Sequence, residues 1–434
     1  MAAAPRPGAV SVLTLSTVAF TLMFAVWLMF GILGIPIRDE LGLSDVQLSW
    51  LTAVAVLNGS IWRLPAGIIT DRFGGRRVFA VMLLVAAVPT FLVSFVHDYG
   101  VLLVLAFLVG IAGNSFSAGV SWNNAWWPDA QKGFALGVFG AGNVGASVTK
   151  LIGPALIAVT AGSTYLGWIE GGWRLVPMLY AVLLVVMAVL VWFLAPRPDL
   201  LPGQGRSLRS QLKPLQRVRV WRFSLYYVAV FGAYVALSAW LPLYYVDNYG
   251  LDLGAAALLT ASFIFPASLL RPLGGWFSDR FGARRVMYAT FTVMLAVLFL
   301  LSLPSGHLVV QTVAGSAPAL PFTMPLVAFS SLIFVLGCAM GVGKAAVYKH
   351  IPDYFPADVG SVGGLVGMLG GLGGFILPPV FAYTLAMTGL PTSTFAILFV
   401  LTAASAVWMH VTVWRMLHTH SPRLAGRLES GELA

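Results

Sequence analysis

Carboxylates are scarce in this sequence and poorly placed for burial. There are 15 Asp and Glu against 25 Lys and Arg, and all 15 fall in predicted loops, turns or tails. Charge of either sign is thin at 9%, while 59% of the residues are hydrophobic, which excludes a soluble globular protein. The single cysteine, Cys338, excludes an intrachain disulfide and leaves no hint of an ordered extracellular domain. The sequence carries no P-loop, metal-ligand cluster or catalytic triad and no soluble domain to house one. No enzyme activity, cofactor or metal is expected.

Apolar runs are abundant. About twenty residues cross roughly 30 Å of hydrocarbon, and twelve runs of that kind can be placed, at roughly 10–35, 46–70, 78–96, 101–126, 134–160, 173–195, 223–246, 255–277, 286–303, 324–347, 360–385 and 393–416. The first is too long for a signal-peptide core and lacks a small-residue cleavage site, so it is expected to stay as helix one. Two of the 25 basic residues, Arg38 and Arg174, fall on one side, four (Arg63, Lys150, Arg271, Lys344) fall within helices, and the other nineteen share the opposite side. The positive-inside rule then makes both termini cytoplasmic, in a multi-pass protein of the cell (inner) membrane. The net charge of +10 is an orientation signal and an attraction to anionic lipid. The basic residues are dispersed over several loops, so nucleic-acid binding is not expected.

The chain is a duplication. The segment from Ile61 to Arg77 matches that from Leu269 to Arg285, so that Arg63 falls on Arg271, Gly67 on Gly275 and Asp71 on Asp279. Each copy joins a charged turn to an arginine about two helical turns earlier, in an apolar segment. At 1.5 Å per residue Arg63 lies about 12 Å above its turn, close to mid-bilayer. An arginine there is expensive and rarely kept without a task; tying helices together or snorkelling is the plainer alternative. With no carboxylate at that depth, the pair is matched to an anion from elsewhere, and guanidinium offers planar, bidentate donors to a trigonal oxyanion or a carboxylate.

The segment 196–222 carries seven basic residues and separates six helices from six. The expected fold is an all-α polytopic membrane protein: a first bundle at 1–195, a basic cytoplasmic linker at 196–222, a second bundle at 223–416 and a cytoplasmic tail at 417–434. Two six-helix halves with a basic central loop describe the major facilitator architecture, in which substrate binds near the midplane between the halves. The turns at Asp71–Arg77 and Asp279–Arg285 resemble that superfamily's loop G-x-x-x-D-R-x-G-R-R.

Helix five has a stripe of small residues at Gly133, Gly137, Ala141 and Gly145, and helix eleven has eight glycines in the fifteen residues from Gly360 to Gly374. An offset of 227 residues pairs Gly137 with Gly364 and Gly140 with Gly367. Close packing suffices to explain most of these glycines; Gly137, Gly140, Gly145, Gly364, Gly367 and Gly371 are the candidates for surfaces that rock. Asn143, in mid-helix, needs partners for its amide. On helix seven Tyr227, Phe231, Tyr234 and Ser238 share one face, and with Phe116 of helix four they are either ordinary core or flat walls for a flat ion.

Taken together, these segments resemble the nitrate/nitrite porter family of the major facilitator superfamily. The run G-x-G-N-x-G-x-S-V at Gly140–Val148 and the run G-G-L-V-G-M-L-G-G-L-G-G-F at Gly363–Phe375 are similar to its two nitrate signatures, and the R-x-P and R-P units at Arg63 and Arg271 match as well. The resemblance implies nitrate held between Arg63 and Arg271, sandwiched by Phe116, Tyr227 and Phe231, with Asn143 on the signature asparagine. The run G-K-A-A-V-Y-K-H from Gly343 to His350 and the signature's closing Lys150 resemble the branch proposed to import nitrate with protons.

The expectation is therefore nitrate import, with nitrite also accepted, by proton symport through a rocker switch, in a chain that works as a monomer. Lys150, and Lys344 toward the cytoplasmic third, are the candidate coupling groups because no Asp, Glu or His lies at central depth. Nitrate/nitrite exchange, carriage of a monocarboxylate, and a nitrate sensor remain as alternatives; the tail of about 18 residues is short for a signalling domain.

Overall fold

The structure is a computed structural model that describes residues 6–128, 131–165, 167–202, 213–313, 315–355 and 359–420. Most of the expected linker (203–212, with Arg206 and Arg209) and the expected tail from 421 onward lie outside the described residues.

Lipid offers no hydrogen bonds to exposed backbone, so long apolar runs close their own as helices. Ten unbroken spans and two bent pairs result, twelve elements in all: α1 (Ala9–Leu41), α2 (Asp45–Ile61 with Arg63–Phe73), α3 (Gly75–Val93), α4 (Tyr99–Trp126), α5 (Ala135–Thr160), α6 (Gly172–Leu194), α7 (Val218–Tyr249), α8 (Leu253–Leu269 with Arg271–Phe281), α9 (Ala283–Ser302), α10 (Leu326–Ile351), α11 (Val362–Thr388) and α12 (Ser393–Met416).

The scarce carboxylates work at the ends of these helices. Ser44 and Gln47 form a capping box on α2, while Asp98 caps α4 and Asp252 caps α8, which satisfies amides that a helix start leaves orphaned. Arg38 contacts Asp39, Asp45 and Asp247 at 3.1–3.3 Å, and Arg174 grips both carboxylate oxygens of Glu40 at 2.6 and 2.7 Å. The two arginines on the side away from the duplicated turns thus have acidic partners close by.

Three features differ from the sequence reading. Each charged turn is almost entirely helical: α2 runs through Asp71 and Arg72 to Phe73, and only Gly74, at φ +88°, parts it from α3. Gly282, at φ +86°, does the same between α8 and α9, a conformation only glycine adopts cheaply. Second, α7 begins at Val218, so residues 218–222 are helix and not linker, held by the buried Val220 and Phe223. Third, two antiparallel hairpins, Thr164–Tyr165 with Ile169–Glu170 and Gly306–Thr312 with Gly315–Phe322, link α5 to α6 and α9 to α10.

The two halves meet along α2 against α11 and α5 against α8. Away from the charged turns they are joined by Arg38 with Asp247 and by Trp50 Nε1, which donates to the Tyr383 hydroxyl at 3.4 Å. Gly31 lies against the backbone of Ala239, where an added Cβ would come to 2.8 Å. Toward the charged turns, Leu64 meets Gly364 and Phe116 meets Tyr348. The central region is covered from both sides.

Candidate functional site

Both arginines stand at bends. Each of α2 and α8 is broken by 41°, after Ile61 and after Leu269, and Arg63 and Arg271 open the second segments. Proline causes the break: Pro65 and Pro272 lack the N–H that would bond the carbonyls of Ile61 and Ser268. The bends leave the arginines buried between the halves, Arg63 at 0% and Arg271 at 8% exposure.

Arg63 Nε donates to the Gly59 carbonyl at 2.9 Å and Nη1 to the Gly367 carbonyl of α11 at 3.1 Å, but Nη2 has no partner among the described residues. Its guanidinium carbon lies 5.2 Å from the ring of Trp27, 5.6 Å from Phe116 and 5.1 Å from Phe231. Arg271 makes no ion pair among the described residues, its Nη1 is buried without a hydrogen bond, and its guanidinium carbon lies 5.5 Å from the same Phe116 ring. Cation–π contacts of this kind contribute about 0.5–2 kcal/mol each, whereas an unsatisfied buried donor on a charged group costs about 1–3 kcal/mol or more. Aromatic faces therefore only partly compensate the two charges; an anion bonded to the orphaned donors would complete the site.

The other helices are irregular at the same level. A 3₁₀ segment at Gly110–Asn114 precedes Phe116, another at Gly142–Val144 contains Asn143, and a π-helical turn at Val228–Gly232 carries Phe231; such breaks are frequent at functional sites. Asn143 is fully buried, and neither amide atom has a partner among the described residues. Tyr227 stacks on Phe231 with centroids 4.9 Å apart. Tyr234 bonds to Ser268 at 3.1 Å and donates to the Asn143 carbonyl at 3.5 Å, joining α7 to α8 and α5.

The fold around these residues has a recognised pattern: the profile of the Major Facilitator Superfamily matches residues 15–307 and 246–430. A probable nitrate/nitrite antiporter, NarK1, of Thermus thermophilus is 64% identical over 98% of this chain and 96% of that protein. The chain belongs to the nitrate/nitrite porter family of the major facilitator superfamily. Other similar proteins are a nitrite extrusion protein of Bacillus subtilis (strain 168), 31% identical over 95% of this chain and 96% of its own, and a probable nitrate transporter, NarT, of Staphylococcus epidermidis, 31% identical over 96% and 98%. The superfamily fold is shared with a bacterial homologue of the human lysosomal transporter Spinster, inward-facing and occupied, at TM-score 0.71 and 16% identity over 96% of this chain and 99% of that one. This membrane porter is a transporter by family and not an enzyme.

Within the porter, Arg63, Arg271, Phe116, Tyr227, Phe231 and Asn143 all line one central region. The glycines divide. A Cβ on Gly140 would lie 3.2 Å from Arg271 Nη1, and one on Gly371 would lie 2.7 Å from Ser60 Oγ and 3.5 Å from Arg63 Cζ. One on Gly367 would meet the Tyr348 hydroxyl at 2.8 Å. Three of the six glycines thus make room for the arginines and Tyr348 and do more than shape packing surfaces. Gly145 abuts the Thr21 backbone, Gly364 faces Leu64 at 3.4 Å, and Gly137 has only Pro272 Cγ within 4 Å, at 3.9 Å.

The lysines divide as well. Lys344 is gathered with the site: its ammonium lies 3.4 Å from the Tyr234 ring centroid and 5.9 Å from that of Phe231, without a hydrogen bond among the described residues. Lys150 lies about 10 Å from Asn143 along α5 and donates to the Ala146 carbonyl of its own helix at 3.3 Å; it is not gathered with the arginines.

Two further residues wall the site that the sequence pattern does not single out. Trp27, whose Nε1 donates to the Ala55 carbonyl at 3.0 Å, walls Arg63 from α1. Tyr348 packs edge-on to Phe116 and Tyr227 and donates to the Gly363 carbonyl at 3.1 Å. Tyr348 stands in the helix-ten run, one turn after Lys344, and that spacing is its signal in the sequence.

Proposed function

We propose that this porter carries nitrate and nitrite across the cell (inner) membrane by alternating access, with both termini cytoplasmic and the anion bound between Arg63 and Arg271. The observation that carries the reading is the pair of buried guanidinium groups on one phenyl ring, with orphaned donors and no carboxylate partner among the described residues. The flat faces of Phe116 and of the Tyr227–Phe231 stack beside the guanidinium groups suit a planar oxyanion, and the Asn143 amide is a further donor. The names of the relatives, nitrate/nitrite antiporter and nitrate transporter, point to the same substrates. Binding by the purified protein, with nitrate, nitrite and acetate compared by calorimetry, tests this: nitrate and nitrite should bind and acetate should not. Acetate binding as tight as nitrate would favour a monocarboxylate carrier.

For coupling we propose proton symport, with Lys344 as the group that registers the proton. It is a titratable side chain set among the aromatics of the site, and Lys150 lacks that position. A second reading is nitrate/nitrite exchange. It is favoured by the antiporter name of the 64% identical relative and by a physical argument: fixed cations in an empty site make the unloaded return costly, so an anion would ride each way. Uptake into proteoliposomes, with an imposed pH gradient or with internal nitrite, separates the two.

A further inference from the structure

We propose a second anion site, for the phosphate of an anionic phospholipid, in the cleft between α7, α9, α10 and α12 at the face of the charged turns. The cleft is open to the surroundings and is lined by Arg222, Tyr226, Arg284, His350, Met409 and Met416, among others. It lies in the second half alone, apart from the arginine pair between the halves. Among the described residues none of its lining is a carboxylate. Arg222 is buried at 8% exposure with its guanidinium carbon 5.3 Å from the Phe223 ring, and Arg284 is half-buried.

A third observation points to a ligand. Tyr226 is buried at 1% exposure, lines the cleft, and its hydroxyl has no hydrogen-bond partner among the described residues. An orphaned buried hydroxyl costs about 1–3 kcal/mol, and a phosphate oxygen held by the two arginines would accept from it. Guanidinium groups suit that ligand because they bond phosphate through paired donors.

The surroundings favour a lipid over a soluble ion. Met409, Val413 and Met416 form an apolar wall on α12, a helix most of whose surface faces outward, so an acyl chain has a path away from the charges. Trp221 and Trp414, next in sequence to the lining residues Arg222 and Val413, are exposed, as tryptophans are at the headgroup level. With the proposed orientation this is the cytoplasmic leaflet, where basic pockets between helices meet anionic headgroups.

Native mass spectrometry of the full chain, released from micelles containing phosphatidylglycerol and phosphatidylcholine, tests this without any transport readout. One phosphatidylglycerol should stay bound in preference to phosphatidylcholine. R222Q combined with R284Q should weaken its retention at least about tenfold, by loss of two charge-assisted contacts. Y226F, which keeps the packing, should weaken it a few-fold. Equal retention by wild type and both variants, or no preference between the two lipids, would overturn the site. Displacement by inorganic phosphate at millimolar concentration would overturn the lipid as its occupant. Nitrate binding, measured on the same samples, should be unchanged, so failure here is distinguishable from failure of the nitrate reading.

Discussion

Arg63 Nη1 donates to the carbonyl of Gly367 at 3.1 Å, and this bond joins the first half of the molecule to the second through the middle of the candidate site. Any rocking of the halves must break or exchange it, and an anion arriving at the orphaned Nη2 would compete for the same guanidinium. Substrate occupancy and the contact between halves are thereby linked at one side chain.

The first prediction follows from that geometry. R63K and R271K remove the planar fork while keeping the charge. Each should weaken nitrate binding by about 2 kcal/mol or more, roughly thirtyfold, since hydrogen bonds to charged groups contribute about 1.5–3 kcal/mol. Calorimetry on monodisperse protein checks this. Wild-type affinity in either lysine variant would remove the paired clamp.

The glycines should separate by what an added methyl meets. G140A places a Cβ 3.2 Å from Arg271 Nη1 and should raise the nitrate dissociation constant several-fold. G137A meets only Pro272 Cγ at 3.9 Å and should leave binding intact, while G137L should slow uptake by roughening the α5–α8 surface. A bulky residue at Gly367 should impair both, because that backbone bonds Arg63 and faces Tyr348. Measured uptake rates set against equilibrium binding decide it; loss of binding in G137A would put that backbone in the site.

The contact between halves away from the charged turns, outer in the proposed orientation, should bias conformation modestly. Asp247 accepts from Arg38 at 3.3 Å and both are partly exposed, so the pair contributes about 0–1 kcal/mol. D247N should shift the balance toward the outward-open state by no more than about fivefold. Accessibility of a cysteine introduced at Ala239 in a C338S background reports it. A shift in the opposite direction would show that the pair does not hold the outer side closed.

Asp199 ties the start of the linker to the first duplicated break. Its carboxylate accepts from the Arg76 amide at 2.8 Å and from Trp122 and Trp126 Nε1 at 3.1 and 3.2 Å. Gly282, the counterpart of Gly74 in the second copy, has nothing within 4 Å of an added Cβ. D199A should therefore destabilise the protein by on the order of 2 kcal/mol, seen as a lowered thermal midpoint. G74A should cost comparably through its positive φ and the neighbouring carboxylate, whereas G282A should show the backbone cost alone.

The arginine pair is legible in the sequence because lipid makes a buried cation conspicuous, and the repeat marks both copies. The twelve spans are legible for the same reason, as length and apolarity are what the bilayer selects. The end of α10 is not: the helix continues to Ile351, past the apolar run expected to close near 347. Trp27 is hidden because an aromatic in an apolar helix is usually packing, and only the bend after Ile61 directs a charge at it; Tyr348 is marked by nothing but its place one turn after Lys344. The hairpins leave no trace either, since their pairing depends on strands that no membrane pattern reveals.

The last prediction concerns energy coupling. Moving one anion into a negative compartment costs about 2.3 kcal/mol per 100 mV, so inward nitrate transport needs a compensating charge or a counter-anion. A proton cancels the charge, and two protons make the potential favourable. Lys344 can serve because it is titratable and lies against the Tyr234 ring with Phe231 nearby, and the neighbours of these rings are Arg63, Ser268 and Asn143. K344Q should therefore abolish acceleration of uptake by an inward proton gradient while nitrate still binds through the two arginines. K150Q should keep the acceleration, since Lys150 serves its own helix. Proteoliposomes containing a pH dye read both properties at once. Uptake indifferent to the gradient in wild type but stimulated by internal nitrite would establish exchange instead, and K344Q would then weaken both directions equally, as loss of one cation from a fixed anion site requires.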